Sequence, residues 1–335
     1  MASLRGLVRR LRPAPPPRPA LPAKPTLPTK PTLPTKPTLP TLGPVGGATG
    51  TAGAASPTVA PAPPAPALEL RWPTIAATDL HEHPTLLADL VAKRLDGATV
   101  TGIFTEEECR TLLDRLPLDE WQEHFIGRIV GMAVGMIEDD EPDRGRYLDE
   151  TAAARPLIRT AFGFDPHERL QDLLRPAAGD RDLVPVREDG RDYNPGQLRY
   201  WEPGRAGLRA HVGNEFRRAL QDSGMRHMLT TTEVSDHLSY FVVVQPPDLG
   251  GTLSVYDLTW DEDDGTHDDR VDLRDDHRFD TMPCLRLDPG PGDLIIFGGG
   301  WRWHRVDPLT GERARITYGG FCAPSIDGAT LDFWA

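Results

Sequence analysis

The chain has 335 residues and a formal net charge of −13 at pH 7, a length that suits one large or two small domains. The charge is uneven: residues 1–67 contain no acidic residue and eight basic ones, which leaves −21 on the rest. An acidic body argues against a DNA- or RNA-binding surface, because phosphate contacts require clustered lysine and arginine. It does not exclude a small phosphorylated or cationic substrate in a pocket.

Cysteine and apolar content predict a cytoplasmic protein without a membrane partner. Cys109, Cys284 and Cys322 are too few and too scattered for a disulfide framework or a cysteine-ligated zinc site, which fits a reducing compartment. No apolar run reaches the ~20 residues of a membrane span. No apolar core follows the arginines near Met1, so a signal peptide is not expected.

Residues 1–67 are predicted to be a disordered tail. The hexapeptide Lys-Pro-Thr-Leu-Pro-Thr occurs three times between Lys24 and Thr41. Proline at this density removes backbone donors and favours extended conformations, so no packed core forms. We interpret the tail as a semi-rigid spacer or the product of a start codon placed too early. A docking arm for a proline-recognising partner is the alternative.

The folded body begins near Leu68 and is expected to start with helices. Residues 85–95 have apolar residues at helical spacing, and Thr105 is a good N-cap for a second helix with acidic residues in its first turn. Residues 165–174 predict a further helix with proline at its first position. Residues 97–104 form a β-rich run, and residues 126–136 fit either a helix or a strand.

From Gln197 onward the pattern changes to short β runs separated by turns rich in glycine and proline. These runs lie at residues 197–202, 208–216, 238–245, 252–258, 293–297, 303–306 and 313–322. Many short strands after a helical half predict an α+β fold with a double-sheet β roll buttressed by N-terminal helices. We expect one domain over residues 68–335.

The acidic run at residues 261–280 interrupts the β runs. It lacks the alternating ligands and the later glutamate of an EF-hand calcium loop. We therefore predict a solvated loop over the mouth of the roll, which could serve as a lid.

Two histidines on separate β runs, His211 and His304, are candidate ligands of one metal ion. Two neutral imidazoles and one carboxylate bind Fe(II) on one face of an octahedron and leave three positions open. Side chains two residues apart on a strand share a face, so the carboxylate is expected at position 213, which is glycine. A halide could take the empty position. Glu215 is the alternative ligand, but on an extended strand it lies about 13 Å further along and requires a bulge or a reversal after Asn214 to reach the ion.

Arg315 follows His304 by eleven residues, and its forked guanidinium suits the distal carboxylate of a dicarboxylate. A single histidine in a β domain is usually a core or surface residue. The metal hypothesis therefore depends on the joint placement of His211, His304, a Gly-Asp turn, an apolar strand and the arginine. His81 and His83 precede a helix without such partners and are interpreted as surface residues.

These residues resemble the Fe(II)/2-oxoglutarate-dependent oxygenase superfamily. Within it they are most similar to the halogenases acting on free-standing substrates, the indole-alkaloid halogenases of the hapalindole and welwitindolinone pathways. The resemblance extends over residues 68–335 and omits the tail. It is carried by residues 211–216, 235–241, 250–256, 292–297 with 304–306, and 319–321 after Arg315.

The resemblance implies a double-stranded β-helix, that is, a jelly-roll or cupin-like core. It implies that His211 and His304 bind Fe(II), that chloride or bromide occupies the position at Gly213, and that Arg315 anchors 2-oxoglutarate, with O2 as the second cosubstrate. Ser239 matches a serine whose hydroxyl is expected to orient the reactive oxygen.

The resemblance also implies that Phe216 lines the substrate pocket. Together with Trp201 and Tyr240, Phe216 indicates a dry pocket, which predicts a partly apolar small molecule as the substrate. Residues 126–136, which should shape the pocket, match only loosely. The substrate is therefore not transferred, and an indole alkaloid, a nucleoside, an amino acid or a terpenoid fits equally.

The expected activity is chlorination or bromination of an unactivated aliphatic C–H bond of a free-standing small molecule, in natural-product biosynthesis. A hydroxylase or desaturase using Glu215 or water as third iron ligand is one alternative. A metal-free binding module, with the tail as its active part, is the other.

Overall fold

A computed structural model of the chain describes residues 68–116, 122–124, 127–129, 141–216, 226–260 and 279–335. The predicted tail and residues 261–278 of the acidic run lie outside the described residues. So does most of the 126–136 segment, of which residues 127–129 are a strand.

Three of the five α-helices in the described residues were expected. The five are α1 (Leu86–Val91), α2 (Glu106–Arg115), α3 (Glu141–Phe162), α4 (Pro166–Leu174) and α5 (Arg226–Thr231). The cap of α2 is confirmed, since Thr105 accepts a hydrogen bond from the Glu108 backbone and the Glu108 side chain binds the Thr105 backbone. No pattern predicted α3, because Pro156 lies inside it and proline usually ends a helix.

The seven β runs predicted from Gln197 onward and the β-rich run at residues 97–104 each contain a strand, within sixteen described strands. The strands are β1 (Thr74–Ala76), β2 (Gly97–Thr101), β3 (Gln122–His124), β4 (Gly127–Ile129), β5 (Asp182–Pro185), β6 (Arg187–Glu188), β7 (Arg191–Asp192), β8 (Gln197–Trp201), β9 (Leu208–His211), β10 (Leu238–Gln245), β11 (Leu253–Thr259), β12 (Cys284–Leu287), β13 (Leu294–Phe297), β14 (Arg302–Val306), β15 (Arg315–Pro324) and β16 (Thr330–Trp334).

The strands form a large, mainly antiparallel sheet and a smaller one. The ten-stranded sheet has the order β1-β2-β13-β10-β15-β8-β4-β3, with β16 pairing β15 and β5. Only the β1–β2 and β16–β5 pairs are parallel among the described strands. The second sheet has the order β12-β11-β14-β9, and β6 and β7 form a separate hairpin.

The two sheets share an apolar cluster formed by Leu253 and Val255 of β11, Val306 of β14, and Ile295 and Phe297 of β13. The opposite face of the large sheet packs against the helices. Its core contains Leu86, Leu90, Leu112, Leu170, Tyr240, Val242 and Tyr318. The large sheet thus separates a helical layer from the space that faces the second sheet. No helix in the described residues is both long and apolar enough to cross a bilayer.

His167 of α4 lies in the helical layer, where its ring makes a T-shaped contact with Phe333 at a centroid distance of 5.2 Å. Neither ring nitrogen has a hydrogen-bond partner among the described residues. Burial lowers the pKa of His167 to about 4. The folded chain therefore holds this ring neutral at a pH where the unfolded chain protonates it.

We expect the free energy of unfolding of the metal-free protein to fall as pH decreases from about 6.5 towards 4. His167→Leu should remove part of this loss, roughly 2 kcal/mol between pH 7.5 and 5, because leucine binds no proton in either state. Urea unfolding at both pH values measures it, with exposed His81→Leu as control. An unchanged pH dependence in His167→Leu would contradict this account.

Candidate metal and cofactor site

Strand pairing brings the two candidate histidines together. β9 and β14 are antiparallel neighbours in the second sheet, and His211 lies directly opposite His304. The centroids of their rings are 4.2 Å apart. Two residues that are far apart in the chain thus share one edge of the space between the sheets.

Both rings have the hydrogen-bonding pattern of a metal ligand. Nδ1 of His211 lies 2.8 Å from the carbonyl oxygen of Arg209, and Nδ1 of His304 lies 2.8 Å from that of Arg302. Because a carbonyl oxygen only accepts, each Nδ1 carries the hydrogen and each Nε2 keeps its lone pair. Such a bond orients a histidine that binds metal through its other nitrogen.

Burial keeps both rings neutral. It lowers the pKa of His211 to about 4. It also lowers the pKa of His304 well below its ordinary value, with a further contribution from the charge of His211. Neutral imidazole is the form that binds a metal ion. The two side chains therefore fit Fe(II) as a pair of nitrogen ligands.

The strand predicted for residues 208–216 is too long. β9 ends at His211, and Gly213–Phe216 form a short 3-10 helix. The backbone N–H groups of Gly213 and Asn214 donate to the carbonyl oxygens of Gly299 and Gly300, at 2.7 and 3.0 Å. These bonds turn the chain, so the extended-strand distances expected for Gly213 and Glu215 were wrong.

Position 213 has no room for a side chain. A Cβ atom built on Gly213 would lie closer than 3.0 Å to Cε1 and Nε2 of His237 and 3.2 Å from the Gly299 carbonyl oxygen. The His237 ring therefore occupies the space in which the Cβ atom of an aspartate or glutamate at this position would lie. Sequence reasoning singled out residues 235–241 but missed His237 within them.

Ser239 begins the inward-facing residues of β10. It pairs with Phe297 on one side and Phe321 on the other. A Cβ atom on Gly299 would overlap its hydroxyl group, so Ser239 lies beside the backbone that binds Gly213. The side chains of residues 215 and 216 lie outside the described residues. The roles of Glu215 and Phe216 stay predictions.

Two arginines of the large sheet face the same space. The Arg315 guanidinium lies 5.0 Å from the centroid of the Phe241 ring, and that of Arg199 lies 5.8 Å from the centroid of Phe321. Among the described residues neither arginine forms an ion pair, and Nε of Arg199 is buried without a hydrogen-bond partner. Arg199 was not predicted from the sequence. The feature that could have identified it is a basic residue within a strand that is otherwise largely buried.

The two guanidinium charges are close enough to affect each other. Burial, and then the charge of Arg199, lower the pKa of Arg315 to about 10. Arg199 also contributes to the lowered pKa of His211. Both arginines stay charged at neutral pH, so this interior has a positive charge that suits an anion.

Tyr240 does not line this space. Its side chain lies in the core shared with the helices, and its hydroxyl donates to the Pro195 carbonyl oxygen. The reason is strand alternation, since Ser239 and Phe241 occupy the inward face of β10. The expectation that Tyr240 belongs to a substrate pocket was wrong.

A cavity of about 730 Å³ opens at the end of the two sheets that holds Arg315. Its lining includes Phe241, Leu253 and Arg315, together with the loop of residues 246–251. The cavity therefore gives access to Arg315, and the two histidines, His211 and His304, lie outside its lining.

The family model described as the carrier-protein-independent halogenase WelO5 matches residues 69–335. The chain belongs to this family. The resemblance found in the sequence is thereby confirmed, and the protein is an Fe(II)/2-oxoglutarate-dependent enzyme. No curated protein sequence matches the chain significantly.

Solved structures with similarity to the chain include an N-substituted L-amino acid dioxygenase from Burkholderia ambifaria AMMD in complex with alpha-KG. It has 16% identity and a TM-score of 0.48 over 76% of this chain and 90% of that one. The carbocyclase SnoK from nogalamycin biosynthesis has 13% identity and a TM-score of 0.42, over 72% and 88%. A Pseudomonas putida prolyl-4-hydroxylase has 14% identity and a TM-score of 0.35, over 72% and 97%. Similarity at this level assigns no reaction.

Replacing either histidine should remove iron binding. We expect His211→Ala and His304→Ala to bind Fe(II) more than ~100-fold more weakly, because losing a ligand costs more than losing its orienting partner. Anaerobic titration with Fe(II) and 2-oxoglutarate, followed by the visible charge-transfer band, measures this. His81→Ala, an exposed histidine that also donates to a backbone carbonyl, is the control. Stoichiometric iron in either site variant would overturn the assignment.

Proposed function

We propose that the protein is a halogenase that replaces an unactivated aliphatic C–H hydrogen of a free-standing small molecule with chlorine or bromine. The observation that carries this proposal is the glycine at position 213, where the His237 ring leaves no room for a carboxylate. The family match supports it. The two sheets would form the double-stranded β-helix core expected for such an enzyme.

The Nε2 atoms of His211 and His304 would hold the iron. Bound there with 2-oxoglutarate, Fe(II) supplies the activation of O2 that removal of hydrogen from a C–H bond requires. The protein contributes two fixed, neutral imidazoles and no described carboxylate beside them. A chloride or bromide would complete the coordination in place of the missing side chain.

Two arginines would hold the cosubstrate. 2-Oxoglutarate is a dianion, and Arg199 and Arg315 provide two buried cations on adjacent strands, β8 and β15. Arg315, at the cavity end, suits the distal carboxylate. Arg199, whose charge acts on His211, suits the carboxylate beside the keto group. Guanidinium groups bind carboxylates through parallel hydrogen bonds, which fix orientation as well as affinity.

Ser239 and Phe216 are proposed to act on the substrate side. The Ser239 hydroxyl would orient the reactive oxygen, which decides whether carbon receives halogen or hydroxyl. Phe216 would line the pocket.

A cytoplasmic location, a role in secondary metabolism and a proline-recognising partner for the tail remain proposals.

The first experiment needs no substrate. The protein is loaded anaerobically with Fe(II) and 2-oxoglutarate, and the charge-transfer band is recorded while chloride is added. We expect a saturable shift of the band, because chloride enters the coordination of the same iron that 2-oxoglutarate chelates. Sodium sulfate at equal ionic strength is the control.

A band that does not respond to chloride would contradict the halogenase and favour a hydroxylase with Glu215 or water as third ligand. The absence of any band would favour a binding module.

The two arginines can be separated with a truncated cosubstrate. Arg315→Leu should weaken 2-oxoglutarate binding at least about 30-fold, because truncating one partner of a buried charge pair leaves the other unpaired. It should leave the weak binding of 2-oxobutyrate, which lacks the distal carboxylate, unchanged. Arg199→Leu should weaken both ligands. Band intensity against ligand concentration measures each affinity, and equal responses of the two variants would refute this division of roles.

A further inference from the structure

His237 is a buried polar residue of which the fold uses only one ring nitrogen, Nδ1, in a hydrogen bond. It directly precedes β10 and is 7% exposed. Its ring makes T-shaped contacts with two aromatic rings, Phe321 at 5.1 Å and Trp334 at 5.9 Å between centroids. These two neighbours are aromatic and offer the ring no hydrogen-bond partner.

The orientation of the ring is fixed from its other side. Nδ1 lies 3.0 Å from the carbonyl oxygen of Val234, so Nδ1 carries a hydrogen and donates it. The His237 carbonyl oxygen accepts from the Gly300 N–H at 2.8 Å. Nε2 is buried and has no hydrogen-bond partner among the described residues. A buried polar atom without a partner points to a missing ligand.

That atom lies where the side chain of residue 213 would begin. The ring therefore borders the coordination position that a carboxylate would otherwise fill. No group of three potential ligands in the part of the chain that the structure describes is arranged to hold a metal ion. Nε2 therefore faces the ligand that takes the place of the missing carboxylate.

The carboxylate of Asp236, which precedes His237 in the chain, forms its contacts with other residues. The Asp236 carboxylate lies 2.6 Å from Nζ of Lys93 and accepts a hydrogen bond from Nδ2 of Asn214 at 2.8 Å. No other carboxylate among the described residues contacts the ring.

We propose that His237 is the positioning residue for the halide, which it binds through an Nε2–H group at the position left open by Gly213. This inference rests on the proposed halogenase function and names the protein group that selects and holds its anion. Because Nδ1 already donates to Val234, the ring that holds the halide carries a hydrogen on each nitrogen.

The glycine and the histidine form one steric unit in this account. Gly213 leaves the coordination position open, and the His237 ring prevents a side chain from filling it. The ring also supplies a hydrogen-bond donor to the anion. Leucine at position 237 would keep the volume and lose the donor, whereas glutamine would keep an N–H donor without the ring.

The test uses chloride and the charge-transfer band of the full-length protein with Fe(II) and 2-oxoglutarate. His237→Leu should raise the Kd for chloride at least about tenfold, because a hydrogen bond to a charged group is lost. His237→Gln should recover most of that loss. Both variants should keep the iron and 2-oxoglutarate affinities of the wild type, which also shows that they fold.

Three results would overturn the proposal. Equal chloride affinity in the three proteins would exclude a role for Nε2. Loss of iron from His237→Leu would make His237 a metal ligand instead. A wild-type band that ignores chloride would overturn the proposed function itself, whereas a wild-type shift that the variants share would overturn only the role of His237.

A second pair of variants tests the steric part. Gly213→Asp alone should bind iron at least tenfold more weakly than Gly213→Asp/His237→Ala, because the aspartate can reach the iron only when the ring is removed. The double variant should bind iron without any response to chloride. Equal iron affinity in the single and double variants would show that the ring does not control access to this position.

Discussion

The site depends on the pairing of β9 with β14, which places His211 opposite His304. The pairing alone is not sufficient, because the third coordination position is set by the segment after β9. There the chain leaves the strand and binds the carbonyl oxygens of Gly299 and Gly300. The open position is therefore held by backbone hydrogen bonds between two segments that are distant in the chain.

The charge of the interior determines which ligands the site can bind. The interior holds two neutral imidazoles and the cations Arg199 and Arg315, which form no ion pair within the described part of the chain, although the body of the chain is acidic. Buried cations without counterions are costly, so a bound dianion would stabilise the protein as well as serve the reaction. Halide and 2-oxoglutarate would thus meet a pocket prepared for anions, with the His237 ring beside the position of Gly213.

Local features were predictable wherever a short pattern determines the structure. The N-cap at Thr105, the helix that begins at Pro166 and the exposure of His81 all follow from neighbours within a few residues. α3 was missed because Pro156 suggested a break. The 208–216 strand was overextended because no local signal shows where Gly213 finds its hydrogen-bond partner.

The sequence by itself determined the ligand types, the glycine at the third position and the family, because these depend on residue identity and spacing. Only the tertiary structure decided that Arg199 shares a face with Arg315, that Tyr240 does not face the site, and that His237 fills the space beside Gly213. Strand periodicity indicates only which side chains lie on the same face of one strand. Sheet register and loop packing bring distant residues together, and these depend on long-range contacts that no local pattern contains.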